Sequence, residues 1–344
     1  MEMNSRKVQA CSALLMLLLS VMAICPVVSA QSIDDRSTDK GAVFITTSFA
    51  DPIDQETLKN MRNDAIDTYA TKHGEEPMGG ADPVVPDGSA IVAYGFVIDE
   101  KGVPHQYVGI AANNESVSAV HDKAEEWRKR YIETDLESPA MGIMSLRSLE
   151  WGNPVYFNEG DYYYHPYGGV TNNFEMFKHP SDNNPSRDWF AIHQISAMEP
   201  GIQRWGTEYM NFEGNAIQDW SISTAGDPEL HSWSPMSDTS GSQTIQVSLS
   251  PAPALSWSYA QGDVTTYTHT STDTEIAHWR SRFNSVGTKT TTQGIEPGSS
   301  CATDQHSSGQ YDIVYLNSTA QFMDIWGYGY GETIWYWWQL WYQY

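Results

Sequence analysis

Cysteine is scarce in this sequence of 344 residues, which holds 3 of them, Cys11, Cys25 and Cys301. The first two lie in an N-terminal segment that other features predict to be removed. Cys301 would then stand alone, so that no intrachain disulfide could form. The fold must therefore be held by its core, which a chain of this length can make large. A lone thiol of this kind is more typical of a buried residue than of a nucleophile.

Basic residues are also few. Lysine and arginine total 19 against 43 aspartates and glutamates, which gives a formal net charge of −24. A surface so acidic repels the phosphates of nucleic acids and the head groups of anionic membranes. The composition therefore excludes a nucleic-acid-binding protein. It is typical of a chain that stays in solution in a saline medium.

Local signatures of catalysis, metal binding and cofactor binding are missing. The 10 histidines form no H-E-x-x-H or H-x-H pattern, and the sequence has no C-x-x-C, G-x-S-x-G, P-loop, dinucleotide-glycine or EF-hand pattern. We therefore predict no catalytic residue, no metal ligand and no cofactor. One cluster, Glu159, Asp161 and His165, keeps a hydrolase open, because paired carboxylates perform acid and base catalysis in glycoside hydrolases. A solvated turn between strands is the simpler interpretation of that cluster.

Long apolar runs are absent except near the N-terminus. Arg6 and Lys7 precede an apolar run over 13–24, and the segment ends in small residues at Ala30, the order that a signal peptide shows. The run is shorter than the roughly 20 residues that span a bilayer. We predict a signal peptide over 1–30, a disordered leader over 31–40 and a secreted mature chain without a transmembrane span.

Residues 41–135 combine strand-like and helix-like patterns. A β-branched segment over 42–49 predicts a strand, and Asp51-Pro52 predicts the start of a helix. Two further segments, 90–98 and 103–112, predict a hairpin. The apolar faces of two helices are marked by residues at helical spacing, namely Leu58, Met61, Ala65 and Tyr69 in the first and Val117, Val120, Ala124, Trp127 and Tyr131 in the second. We therefore predict a small α/β module over 41–135 and a linker over 136–150.

From Trp151 onwards tryptophan, tyrosine, serine, threonine, asparagine and glycine dominate, and no amphipathic helix is evident. Many short strand-like segments alternate with turns, which is typical of a sandwich or barrel. The predicted strands are 155–164, 174–177, 189–198, 217–223, 244–250, 255–260, 264–269, 276–283, 311–316 and 334–342. The predicted fold class is α+β: the small N-terminal α/β module followed by an antiparallel β-sandwich over 151–344.

One stretch of this half carries a family resemblance. Residues 243–283 read QTIQVSLSPAPALSWSYAQGDVTTYTHTSTDTEIAHWRSRF, with apolar residues at every second position along two segments. In residue types and approximate spacing, this stretch resembles the segment after the stem in leukocidin- and α-haemolysin-like secreted toxins. The residues that carry the resemblance are Ser258 to Gln261, Val264 to Thr266, Ser271, Trp279 and Phe283. The resemblance implies a β-sandwich body and, in active members, a hairpin that unfolds into an oligomeric transmembrane barrel.

The hairpin in this sequence departs from that family pattern. Its two predicted strands, 244–250 and 255–259, are both shorter than the roughly 9–11 residues of a membrane-crossing strand. Pro251 and Pro253 also remove hydrogen-bond donors at its tip. The stem is therefore shortened, which favours a binding or structural role over pore formation. A longer stem within 226–261 would favour pore formation instead.

The C-terminal run from Trp326 to Tyr344 is rich in aromatic residues. Its tryptophans are Trp326, Trp335, Trp337, Trp338 and Trp341. Successive side chains of a strand point to opposite faces, so some of these rings are exposed unless both faces are covered. Exposed rings bind sugars, choline head groups or partner chains through stacking and cation–π contacts. These five residues form the predicted interaction surface, with a strand that closes a core as the alternative.

Two N-glycosylation sequons begin at Asn114 and Asn317, which fits export through a glycosylating route. We predict a secreted, non-catalytic extracellular or cell-surface binding protein of leukocidin-like β-sandwich type. Its partners would be cell-surface glycans, lipid head groups or other surface proteins, and the resemblance is compatible with a homo-oligomer. A leukocidin-like pore-forming protein and a secreted hydrolase acting on glycans or peptides are the alternatives.

Overall fold

The computed structural model describes residues 42–74, 77, 81–100, 102–133, 151, 154–179, 186–251, 254–327 and 330–344, without the side chains of 156–157 and 330–337. Three predicted segments lie outside the described residues: the signal peptide (1–30), the leader (31–40) and the linker (136–150).

Two longer helices lie in the N-terminal third of the chain, α1 (Gln55–His73) and α2 (Val117–Arg128). The start of α1 differs from the sequence prediction, because the N-cap is Asp54 rather than Asp51. The Asp54 carboxylate accepts a hydrogen bond of 2.7 Å from the Thr57 amide, which satisfies a free donor of the first turn. Gly74, with φ of 76°, ends the helix in the left-handed conformation that glycine adopts readily.

The strands follow one another in chain order with two short helices among them. They are β1 (Ala42–Thr46), β2 (Asp82–Pro83), β3 (Ala90–Ile98), β4 (Pro104–Ala111), β5 (Tyr156–His165), β6 (Gly168–Lys178), β7 (Arg187–Pro200), β8 (Tyr209–Asp219), β9 (Glu229–Ser234), β10 (Thr239–Ser240), β11 (Gln243–Leu249), β12 (Leu255–Gln261), β13 (Val264–Thr268), β14 (Ile276–Phe283), β15 (Gln293–Ile295), β16 (Gly298–Asp304), β17 (Gln310–Asp324) and β18 (Tyr330–Gln343). The short helices are α3 (Gly201–Trp205) and α4 (Val286–Thr290).

In the described part of the chain these strands form two large sheets and one separate hairpin. The nine-stranded sheet has the order β1-β3-β4-β5-β6-β7-β16-β9, with β15 also paired to β7. The seven-stranded sheet has the order β10-β13-β14-β8-β17-β18-β2, and β11 pairs with β12 alone. Among the described pairs only β4 and β5 run parallel, from His105 opposite Glu159 to Ala111 opposite His165. Strands from 41–135 and from 151–344 therefore belong to one sheet.

Both faces of β3 and β4 are covered, which explains why these strands are apolar at almost every position. Helix α1 buries Leu58 and Ile66 against one face, whereas α2 buries Val120 and Trp127 against the other. Trp127 approaches the sheet so closely that a Cβ added to Gly95 would lie 2.2 Å from its ring. A side chain at position 95 would therefore displace α2.

A chain of buried polar side chains crosses the core between the two large sheets. Trp220 Nε1 donates to Ser299 Oγ at 2.8 Å, and Ser299 Oγ donates to Gln218 Oε1 at 2.5 Å. Gln218 Nε2 donates to Gln194 Oε1 at 3.2 Å, and Gln194 Nε2 donates to Ser318 Oγ at 3.0 Å. Each of these side chains is buried. Because each side chain supplies a partner for the next, the network joins the two sheets by hydrogen bonds within the core.

The structure confirms the predicted fold class, an α+β protein with a mainly antiparallel β-sandwich. The predicted strand over 276–283 matches β14 residue for residue. The prediction missed the short strands β2, β10 and β15. It also missed β9 and β16, because their sequences, ELHSWS and GSSCATD, lack the β-branched and apolar alternation of strands. Cys301 lies in β16, fully buried, and burial raises the pKa of its thiol. It is therefore an inert core residue.

Candidate functional site

The five predicted surface tryptophans do not share one environment. Trp326 lies in the turn after β17 with 69% of its surface exposed, whereas Trp338 is 1% exposed and packs edge-on against Phe174 at 5.1 Å. Trp341 is half-buried in β18. The side chains of Trp335 and Trp337 lie outside the described residues. Trp338 is thus a core residue, and Trp326 is the described tryptophan that lies fully at the surface.

Trp326 belongs to a surface where three connections between strands meet. We call this surface the aromatic end and define it by Tyr167, Tyr209, Ile325 and Trp326. The Tyr167 and Tyr209 rings lie 4.6 Å apart, and the Gly201 amide at the start of α3 donates to the Tyr167 carbonyl at 2.8 Å. The Ile325 amide donates to the Glu208 carbonyl at 2.8 Å, which holds the β17–β18 turn beside the start of β8.

The aromatic end is exposed, apolar and acidic at once. Ile325 has 41% of its surface exposed beside the 69% of Trp326, although large apolar side chains are normally buried. Burial and the neighbouring carboxylates Glu208 and Asp324 raise the pKa of the Tyr209 phenol. Aromatic rings and carboxylates together attract a cation that carries apolar groups.

The β11–β12 hairpin lies over the outer face of the nine-stranded sheet. Its inner face is apolar and buried, with cross-strand pairs Ile245–Tyr259, Val247–Trp257 and Leu249–Leu255. Its outer face is small and polar, with Gln246, Ser248 and Ser258 exposed. Each strand has seven residues, so β12 is longer than predicted and both strands remain shorter than a membrane-crossing strand. Residues 229–234 and 239–240 belong to the large sheets and do not lengthen the hairpin.

The hairpin is fixed to the sheet at a buried histidine. We call Glu175, His193, Trp257 and Glu296 the His193 cluster. His193 Nδ1 lies 3.1 Å from the Glu175 carboxylate, its Nε2 lies 3.5 Å from the Glu296 carboxylate, and its ring lies 4.3 Å from the Trp257 ring. Burial lowers the pKa of His193, but the two carboxylates outweigh burial and raise it overall.

A second buried histidine, His105, also lies between two carboxylates, but it does not contact the hairpin. His105 lies 3.2 Å from the Glu159 carboxylate and 3.4 Å from that of Asp99, under the Tyr131 ring at 4.7 Å. Burial lowers the pKa of His105, and the hydrogen bonds to the two carboxylates raise it by more. Glu159 also accepts a hydrogen bond of 3.1 Å from the Tyr131 hydroxyl, so it ties the parallel strands β4 and β5 to the residues that follow α2.

The three residues of the predicted hydrolase cluster all lie in β5, and each has a different packing or hydrogen-bond partner. Burial raises the pKa of Glu159, but the contact with His105 lowers it overall. Burial raises the pKa of Asp161, which accepts a hydrogen bond of 2.7 Å from Thr171. His165 instead packs its ring against Trp205 at 4.9 Å. These contacts are those of structural residues in a packed layer.

A small cavity in the described part of the chain lies between the two sheets, near Ser196, Asn215 and Gln293, and not at the predicted hydrolase cluster. It has a volume of about 10 Å³, which is room for about one water molecule. Within the described ranges no cluster of three or more histidine, cysteine, aspartate or glutamate side chains is arranged to bind a metal ion. No helix in those ranges has both the length and the apolar character to cross a membrane.

The two sequons lie in different settings. Asn114 is exposed in a 3₁₀ turn directly before α2, the kind of site that a glycosylating enzyme can reach. Asn317 is half-buried in β17, hydrogen-bonded between β8 and β18. A sequon in a central strand is not the exposed loop that the pattern predicts.

Comparisons with known proteins give a likeness to solved structures only. No family model matches the chain, and no curated protein matches it. A solved structure titled "Pore forming protein" is similar to 55% of this chain and 91% of its own, with 6% identity and a TM-score of 0.34. Clostridium perfringens delta-toxin is similar to 55% of this chain and 89% of its own, with 10% identity and a TM-score of 0.32.

Proposed function

We propose that this protein is secreted, acts without catalysis and binds cell surfaces through the aromatic end, at the choline head groups of zwitterionic lipids. The observation that carries the proposal is the exposure of Ile325 and Trp326 side by side in one turn, next to Tyr209. Cell-surface glycans and surface proteins are the other partners that exposed aromatic rings bind.

The charges at the aromatic end favour choline over an anionic head group. The chain carries a formal net charge of −24, and Glu208 and Asp324 lie beside Tyr209. Such a surface repels anionic phospholipids, whereas a quaternary ammonium is attracted both by carboxylates and by the faces of aromatic rings. Trp326 and Ile325 would enter the interface between head groups and acyl chains, where tryptophan is favoured.

Replacement of Trp326 by alanine should weaken binding to phosphatidylcholine vesicles by at least about tenfold, since an aromatic anchor at an interface contributes about 2 kcal/mol or more. The free energy of unfolding should change by less than about 0.5 kcal/mol, because the ring is exposed. Vesicle flotation at increasing lipid concentration measures the binding, and urea denaturation measures the stability.

Met236→Ala is the matched control for this prediction. Met236 is also 69% exposed, but it follows Pro235, whose carbonyl accepts hydrogen bonds from Thr268 in β13 and Trp279 in β14. None of these residues belongs to the aromatic end. Binding to phosphatidylcholine should be unchanged in this variant. Equal binding of Trp326→Ala and the unaltered protein would contradict the proposal, as would stronger binding to phosphatidylglycerol vesicles than to phosphatidylcholine vesicles.

A second candidate function, pore formation, is favoured by one observation. Among the described residues, the β11–β12 hairpin forms no backbone ladder with either large sheet, and it has one apolar and one small polar face. Those are the two faces that a strand of a transmembrane barrel needs. Its length is the physical argument against this function, because seven residues are fewer than the roughly 9–11 that cross a bilayer.

Dye release separates the two functions. At lipid concentrations where the protein is bound to phosphatidylcholine vesicles, we expect no release of an encapsulated dye above that of protein-free vesicles. Release that depends on protein concentration, with ring-shaped oligomers on the vesicles, would establish pore formation and show that more of the chain than 243–261 refolds. Binding without release would support the first proposal alone.

A further inference from the structure

The His193 cluster connects three parts of the chain that are far apart in sequence. Glu175 lies directly opposite His193 in the β6–β7 ladder, and Glu296 lies in the connection between β15 and β16. Trp257 belongs to the hairpin, stacks on His193 and donates its Nε1 proton to the Glu296 carbonyl at 2.8 Å. The hairpin therefore covers a histidine that lies between two carboxylates.

The space under Trp257 leaves little room for water. His193 is 2% exposed, and the Glu175 and Glu296 side chains are 11% and 25% exposed. A Cβ added to Gly298 would lie 2.4 Å from the Trp257 ring, so the indole lies directly on the sheet backbone. Charges in such a place interact strongly with one another, because little solvent screens them.

The protonation state of His193 decides whether this arrangement is stable. As an imidazolium, His193 donates to Glu175, forms an ion pair with Glu296 and presents a cation to the Trp257 ring. As a neutral ring it has one N–H donor, so it can donate to only one of the two carboxylates and forms an ion pair with neither. Lifting the hairpin would then let water reach them.

We propose that His193 is a pH-sensitive lock for the β11–β12 hairpin: its imidazolium holds Trp257 on the nine-stranded sheet, and its deprotonation loosens the hairpin while the two large sheets stay folded. Other anchors remain in place when it titrates, such as the hydrogen bond of 2.6 Å from Ser300 Oγ to the Ser250 carbonyl. Tyr259, on the same hairpin face, lies near Glu296 but stays neutral, because burial and Glu296 raise the pKa of its phenol.

The direction of the pH dependence follows from the geometry. With the hairpin in place the pKa of His193 lies above the ordinary value of 6.5, whereas solvent would return it towards that value once Trp257 moves away. Protonated His193 therefore stabilises the closed hairpin fully below about pH 6.5. That stabilisation is lost as the pH rises through the raised pKa. This inference does not depend on what the aromatic end binds.

Hydrogen exchange of the amides in 243–261 tests the lock in the purified protein. After correction for the chemical exchange rate, the opening constant of the hairpin should rise by about tenfold for each unit by which the closed-state pKa exceeds the open-state pKa. The amides of β13 and β14 should show no comparable rise between about pH 5.5 and about pH 9. Equal hairpin opening at both pH values would overturn the inference.

His193→Gln should abolish this pH response, whereas His105→Gln should keep it, because His105 has two carboxylate partners but does not touch the hairpin. Should His193→Gln fail to fold, Glu296→Gln serves instead, since Glu296 lies in a connection and is partly exposed. Removing one carboxylate should reduce the pH-dependent rise of the opening constant and shift the midpoint of that rise towards pH 6.5. A full response in either cluster variant would overturn the inference.

Discussion

Replacement of Trp338 by alanine should lower the free energy of unfolding by about 3–5 kcal/mol, the usual loss when a large buried aromatic side chain is removed from a core. Trp338 is 1% exposed, contacts the Phe174 ring and lies so near β5 that a Cβ added to Gly160 would be 2.9 Å from it. A cavity between the two sheets would remain, because strands paired on both sides cannot collapse into it. The midpoint of urea denaturation measures the effect.

Two further tryptophan variants make the result specific. Trp338→Phe keeps an aromatic ring in the core, so its loss in the free energy of unfolding should be about half that of Trp338→Ala or less. Trp326→Ala removes the same side chain from a site with 69% exposure and should leave the midpoint nearly unchanged. A loss below about 1 kcal/mol for Trp338→Ala would mean that the C-terminal strand does not close the core as described.

Gln194→Leu should lower the free energy of unfolding by about 2–4 kcal/mol, although it makes the core more apolar. Gln194 accepts a hydrogen bond from Gln218 and donates one to Ser318, and all three side chains are buried. Leucine would leave both neighbours without these partners, and each buried polar group left unsatisfied costs about 1–3 kcal/mol. Urea denaturation again supplies the measurement.

A double-mutant cycle distinguishes this cause from a simple packing defect. Gln218→Leu combined with Gln194→Leu should cost less than the sum of the two single changes, because each removes the group that the other leaves unsatisfied. Gln246→Leu, on the exposed face of the hairpin, is the control and should change stability by less than about 0.5 kcal/mol. Additive losses would contradict the network.

Alternation of apolar and polar residues was enough to predict the fold class and most of the strands. The pattern at Ile276–Phe283 predicts a strand, and in the structure this strand buries Ala277 and Trp279 on one face and turns His278 to the other. The pattern fails where the sheet interior is itself polar or small, as in β16. There Ser299 and Cys301 are buried because partners from distant strands satisfy or cover them, and a single sequence does not show those partners.

The candidate sites were harder to predict than the strands, because each site brings together residues that are far apart in the sequence. The aromatic run at the C-terminus indicated Trp326, but Tyr167 and Tyr209 reach the same surface from two other connections. The same run suggested Trp338, which the pairing of β17 with β18 places in the core. For the His193 cluster, no local pattern joins Glu175, Trp257 and Glu296 to the histidine.

The polar network in the core also sets an order of events during folding. Gln194 and Ser318 are 124 residues apart in sequence, and Trp220 and Ser299 are 79 residues apart. Pairings between such distant segments form slowly, because the entropy of closing a long loop opposes them until the contacts are made. A chain that emerges N-terminus first therefore cannot complete the interior of its sandwich until β17 has arrived, and its buried amides stay hydrated until that late step.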